Sequence, residues 1–218
     1  VTPEVEQNIK PFQRYTERRG YFDPRVDSHT VKILPGEYYV TTRTDEMLVT
    51  VLGSCVAACI RNPHNGAGGM NHFMLPVDSS EADAWNITNP TMRYGNHAME
   101  VLINEILKTG CSRDDLEIKL FGGANVLPKG QNRSLDYTTV GDRNCEFVRR
   151  YLQNEGLKVA ASDLGGDLPR RIHFYPETGK VDRLLLRGAD KAKVYAEERN
   201  LGIPEPAVES DDDIELFD

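Results

Sequence analysis

Between Thr50 and Pro76 the chain reads TVLGSCVAACIRNPHNGAGGMNHFMLP, a stretch that gathers the residue types needed for nucleophilic chemistry. A β-prone run enters Gly53-Ser54-Cys55, and a second turn region delivers Gly69-Met70-Asn71-His72. Cysteine attacks as a thiolate, and a histidine partner can take its proton near neutral pH. Cys55 and His72 lie seventeen residues apart, with two turn regions between them that can fold one onto the other. Thr50, on the incoming strand, can accept from the second imidazole nitrogen and set the tautomer. Gly53 has no Cβ to obstruct a substrate close to the backbone, and N–H groups of the turn at Gly53 and Ser54 can hold a developing oxyanion. A nucleophile of this kind is expected to stand exposed at the end of its strand.

Residue types alone leave a plainer reading open. A small apolar cysteine in a β-prone run commonly fills core, and Cys59 is read that way. A histidine beside Phe73 and Met74 can equally be a satisfied structural residue. A zinc set drawn from Cys55, Cys59, His64 and His72 fails on reach, because a strand holds Cys55 and Cys59 about 13 Å apart. Ser54 lacks a G-x-S-x-G elbow and is read as shaping the turn. Phe121-Gly122-Gly123-Ala124-Asn125 and Leu164-Gly165-Gly166-Asp167 lack phosphate-loop or dinucleotide spacing, and read as tight turns at strand ends near the site. His29, His64, His97 and His173 carry no partner pattern. The chemistry calls for no metal and no organic cofactor.

These residues need strands to carry them and helices to back the strands. Val31 and Ile33, then Tyr38 and Val40, alternate with polar neighbours around Pro35-Gly36, predicting two short strands. Met47–Leu52 and Val56–Ile60 follow as β-prone runs, NPHNGAGG is turn chemistry, and Asn71–Leu75 resumes as a strand. Met99, Leu102, Ile103, Ile106 and Leu107 form a helical stripe within His97–Lys108, stopped by Gly110. Leu116–Phe121 reads as a strand and Asp142–Asn154 as a helix with Cys145, Val148 and Leu152 on one face. Strands are expected at Lys158–Ala161, Arg171–Tyr175 and Val181–Leu186, with a further helix over Lys191–Arg199. The fold class is α/β (α+β): one domain of mixed β-sheet with packed helices, over residues 21–190. A polar arm (1–20) and a charged extension (191–218) flank it.

The chain has 218 residues and a formal net charge of −8. Seven acids fall within residues 203–218, which hold no Lys or Arg, so removing them leaves −1 for residues 1–202. No basic stripe marks a nucleic-acid surface. The most apolar uncharged run, Met47–Ile60, is too short for a membrane-spanning helix, which needs roughly 20 residues. Four sparse cysteines without a C-x-x-C pair, and no basic-then-apolar leader, predict a reduced cytoplasmic setting.

The runs LGSCVAACIRNP and GGMNHFMLP resemble the signature of the chemoreceptor glutamine deamidases, the CheD family of bacterial chemotaxis. ILPGEYYV, MEVLINEIL, KLFGGANV, VGDRNCEFVRRYL and SDLGGDLPRRIHFYPETGKV extend the likeness in order, from about Tyr21 to Leu186. The resemblance implies a three-layer sandwich with Cys55 as nucleophile, His72 as general base and Thr50 as third member. It implies hydrolysis of selected Gln side chains on the cytoplasmic helices of methyl-accepting receptors to Glu. A CheC-type phosphatase is a further partner it implies. Two rivals stand beside this reading: a receptor methylesterase or other thiol amidase with this dyad, and a catalytically weak module that binds a receptor or a CheC-type phosphatase.

Overall fold

The computed structural model describes residues 12–14, 20–75, 89–125 and 139–200. In chain order the strands are β1 (Gln13–Arg14), β2 (Gly20–Asp23), β3 (Ser28–Lys32), β4 (Glu37–Thr41), β5 (Glu46–Leu52), β6 (Val56–Arg61) and β7 (Gly68–His72). Helix α1 (Pro90–Leu107) leads to β8 (Glu117–Gly122), and helix α2 (Val140–Asn154) to β9 (Val159–Leu164), β10 (Arg170–Phe174) and β11 (Val181–Leu185). Helix α3 (Gly188–Asn200) closes the described chain.

The strands form two sheets. One runs β1-β4-β7-β6-β8-β9 and the other β11-β10-β5-β3-β2. Both are mixed: β8 and β9 pair in parallel, as do β3 and β5, while the hairpin neighbours are antiparallel. The period-two alternation of strands sends successive side chains to opposite faces. In β6, Val56, Ala58 and Ile60 face a core shared with α1 and α2, while Ala57 and Cys59 face a second core shared with the other sheet. The result is three layers, helices on sheet on sheet, the α/β class expected. Cys59 is core in this arrangement, 1% exposed.

Most elements fall where periodicity puts them, and the departures have local causes. Helix α1 begins seven residues before His97, because Asn89 caps it by accepting from the Thr91 N–H at 2.8 Å and Pro90 occupies its first turn. Gly95 inside that helix allows close approach: a Cβ there would meet the Phe147 ring at 2.5 Å and Leu75 at 2.7 Å. Helix α2 starts at a capping box between Thr139 and Asp142. The strand expected at Asn71–Leu75 lies earlier, at Gly68–His72, with a single bridge from Phe73 to Val56.

The polar-arm reading of residues 1–20 needs amending where the chain is described. Gln13–Arg14 adds a strand to the first sheet, and Phe12 is buried, stacked on Tyr38 at 5.6 Å and edge-on to Tyr94 at 6.0 Å. Phe12 sits in a polar run without apolar periodicity, so sequence pattern gave it no strand. The acidic tail beyond residue 200 lies outside the described residues.

Candidate active site

The chain crosses from one sheet to the other at Gly53-Ser54-Cys55, between β5 and β6, and this crossing is where the site forms. Thr50 lies near the end of β5 on the second sheet, and His72 is the last residue of β7 on the first. Alternation then sorts the neighbours. Asn71 turns to the helices, accepting from the Ala58 N–H at 2.8 Å and donating to the Ala98 carbonyl at 2.9 Å. His72 turns the other way, into the gap between the sheets.

There Thr50 Oγ1 stands 2.8 Å from His72 Nδ1 and 2.7 Å from the Ile33 carbonyl oxygen. A hydroxyl has one proton to give, and a carbonyl can only accept. Thr50 therefore donates to Ile33 and accepts from His72, which places the imidazole proton on Nδ1. Nε2 is left with its lone pair, and among the described residues it has no hydrogen-bond partner. Burial lowers the His72 pKa to about 4, so the ring is neutral at neutral pH.

Cys55, His72 and Gly53 line one cavity of about 310 Å³, together with Pro35, Val51 and three residues of α3: Val194, Glu197 and Glu198. The expectation of an exposed thiol is not met. Cys55 is 3% exposed and His72 2%. Burial holds the Cys55 thiol protonated, and the charge of Glu198 adds to that effect. Resting thiol and resting imidazole are thus both neutral.

The turn that carries Cys55 is held from beneath by other turns. Gly123 donates its N–H to the Cys55 carbonyl and Ala124 to that of Gly53, both at 2.7 Å. Gly165 in turn donates to Gly122, and Asn125 to Gly166, stacking the second glycine-rich turn on the first. Only glycine fits at 122: φ is +114°, and a Cβ would sit 2.1 Å from the Cys55 carbonyl oxygen. The two glycine motifs are therefore tight turns near the site, as their spacing suggested.

Three residues here had no role in the sequence reading. Asn144, on α2 and fully buried, donates to the Ser54 carbonyl at 2.8 Å and accepts from the Leu75 N–H at 2.9 Å, joining the two turns that flank Cys55 and His72. Arg170 is buried against the 163–168 turn, donating to the carbonyls of Asp163, Gly165 and Leu168. Glu198 accepts from the Ser54 N–H at 2.6 Å and from the Ser54 hydroxyl at 3.1 Å. A buried asparagine on a helix face and a lone acid in a charged helix send no signal by type.

A sulfur nucleophile, an oriented imidazole with one free nitrogen and a backbone N–H beside them can perform acyl transfer through a thioester. The fold is a helix-backed sheet sandwich, and its cavity gathers residues of the kinds a hydrolase uses. A family model described as CheD chemotactic sensory transduction matches residues 74–183. A Rhodopseudomonas palustris (strain BisA53) protein named "Probable chemoreceptor glutamine deamidase CheD" is 51% identical over 84% of this chain and 81% of its own. Relatives of the same name from Bordetella avium (strain 197N) and Halorhodospira halophila (strain DSM 244 / SL1) are 53% and 46% identical. They cover 75% and 89% of this chain, and 68% and 88% of their own lengths. The chain belongs to the CheD family. Among the described residues, no helix is long and apolar enough to cross a membrane.

Proposed function

We propose that this protein is a protein-glutamine deamidase that hydrolyses the side-chain amide of Gln on chemoreceptors, giving Glu and ammonia. The observation that carries this reading is the Thr50–His72 contact, which leaves Nε2 as a free base in the cavity that Cys55 lines. The relatives' shared name gives the substrate.

The Cys55 thiol gives its proton to His72 Nε2 as sulfur attacks the amide carbon. Thr50 keeps the opposite nitrogen protonated and accepts its hydrogen bond as the ring becomes charged. The N–H of Ser54 and its neighbours in the turn hold the oxyanion. His72 then gives the proton to the amide nitrogen, ammonia leaves, and a thioester remains. Water attacks it, giving its proton to His72; the carbonyl re-forms, sulfur departs and recovers the proton, and Glu is released. Each event changes receptor charge by −1.

The substrate we infer is a cytoplasmic helix of a methyl-accepting receptor, met in the cytoplasm, and a CheC-type phosphatase is a further partner inferred from the family likeness. The test uses a receptor cytoplasmic fragment, with Gln-to-Glu conversion mapped by peptide mass. Wild type converts selected sites, while Cys55→Ala and His72→Ala lose activity by about a thousand-fold or more. Thr50→Val loses on the order of ten-fold to a hundred-fold, at or below what a general base contributes, and Thr50→Ser restores most of it. Absence of conversion by wild type overturns the deamidase reading, and conversion that survives Cys55→Ala overturns the mechanism.

A further inference from the structure

Helix α3 belongs to the charged segment after the last strand, yet two of its residues are buried. Val194 and Glu198 are one turn apart, on one face, and 6% and 4% exposed. Both line the cavity that holds Cys55 and His72. A carboxylate placed in such a site with no cation beside it among the described residues needs an explanation, because burying a charge is costly unless it is well paired. Its only partners among the described residues are the N–H and hydroxyl of Ser54, both on Oε1. Among the described residues Oε2 is buried with no partner, as is His72 Nε2.

The space it fills is one that glycine leaves. A Cβ on Gly53 would lie 2.2 Å from Glu198 Oε1. A glutamyl carboxyl group, reached from a helix, thus sits on a backbone N–H of the nucleophile's own turn. That is also the chemical group the proposed reaction makes, carried on the kind of element it acts upon.

We propose that α3 is an internal product mimic: Glu198 occupies the subsite of the substrate's side-chain amide, built by Gly53 and the N–H and hydroxyl of Ser54. Oε1 takes the place of the amide oxygen and Oε2 that of the departing nitrogen. A substrate helix must displace α3 to enter, so the docked helix holds the enzyme closed. The proton affinity of Cys55 fits this arrangement, since burial and the Glu198 charge both keep its thiol unreactive while α3 is docked. The inference rests on the deamidase reading for its chemistry, but its first test does not depend on that reading.

That test is alkylation of the full chain by iodoacetamide, with labelling followed at each cysteine. Val194→Lys and Glu198→Ala label Cys55 about ten-fold faster than wild type or more, the gain when a state populated at roughly one part in ten or less becomes dominant. Cys111, partly exposed and remote from α3 in sequence, labels at an unchanged rate and reports an intact fold. Unchanged Cys55 labelling in both variants overturns the proposal. The second test is Glu198→Gln, which places the substrate amide in the subsite. The glutamine introduced at position 198 is converted to glutamate in the purified chain, and not in the Cys55→Ala background. Faster alkylation without this conversion overturns the product-mimic assignment and reduces α3 to a cover. Conversion at position 198 without conversion of any receptor site leaves the subsite standing and overturns the receptor reading instead.

Discussion

His72 performs two physical tasks that its surroundings separate. Thr50 takes Nδ1–H, and burial keeps Nε2 unprotonated at neutral pH. Burial also ties stability to pH. In the unfolded chain the imidazole gains a proton below about 6.5, whereas in the folded chain it resists until about 4. Between those values the unfolded state binds more protons, so stability falls as pH falls. At about 1.4 kcal/mol per pH unit the loss reaches roughly 3 kcal/mol by pH 4. Urea unfolding at pH 7, 5.5 and 4 checks this: His72→Gln lacks that part of the slope, and equal slopes in both proteins count against it. Cys55 and His72 could be picked out as candidates from type and spacing, and the structure places both on one cavity. Thr50 was legible as a candidate only, since a strand threonine gives no sign of which carbonyl takes its proton.

At the scale of elements, the site depends on turns braced by other turns and by one helix. Asn144 is the link with the fewest substitutes. Replacing it by Ala strands the Ser54 carbonyl and the Leu75 N–H, at roughly 1–3 kcal/mol for each group left unpaired. Asn144→Ala is therefore expected to lower the unfolding midpoint and the deamidation rate together, because both flanking turns loosen; loss of stability with an unchanged rate would show that they hold their shape without it. The apolar stripe of α2 was visible as Cys145, Val148 and Leu152, but a polar residue beside such a stripe is normally read as solvent-facing. Only its position over the Ser54 carbonyl and the Leu75 N–H gives Asn144 its buried role. The glycine-rich turns were readable as turns, while their stacking order depends on β8 and β9 pairing in parallel across a gap in sequence.

On the scale of the whole molecule, the central sheet serves two cores, and the site opens at the seam where the chain leaves one sheet for the other. Segments toward either end of the described chain complete the packing, but only one of them reaches that seam. Phe12 packs into the helix-side core near the amino terminus, and α3 covers the cavity near the carboxyl terminus. Because residues 12–14 belong to the fold, Phe12→Ala is expected to cost roughly 3–5 kcal/mol, as for other buried aromatics. A solvated arm would lose within about 0.5 kcal/mol. Thermal or urea unfolding of the two proteins separates these outcomes.

Periodicity and turn chemistry outlined an α/β fold and the order of most elements; the GSC and NH motifs marked candidates for nucleophilic chemistry, and the family resemblance supplied the amide. Those signals are local, carried within ten or so residues by strand alternation, helical spacing and the special φ of glycine. Which groups meet across the sheets is not local. That Thr50 accepts from His72, that Asn144 joins two turns and that Glu198 lies on the Ser54 N–H follow from pairings between segments up to 144 residues apart. Nor was the thiol's burial written in its own stretch, because a helix from the charged segment after the last strand covers it.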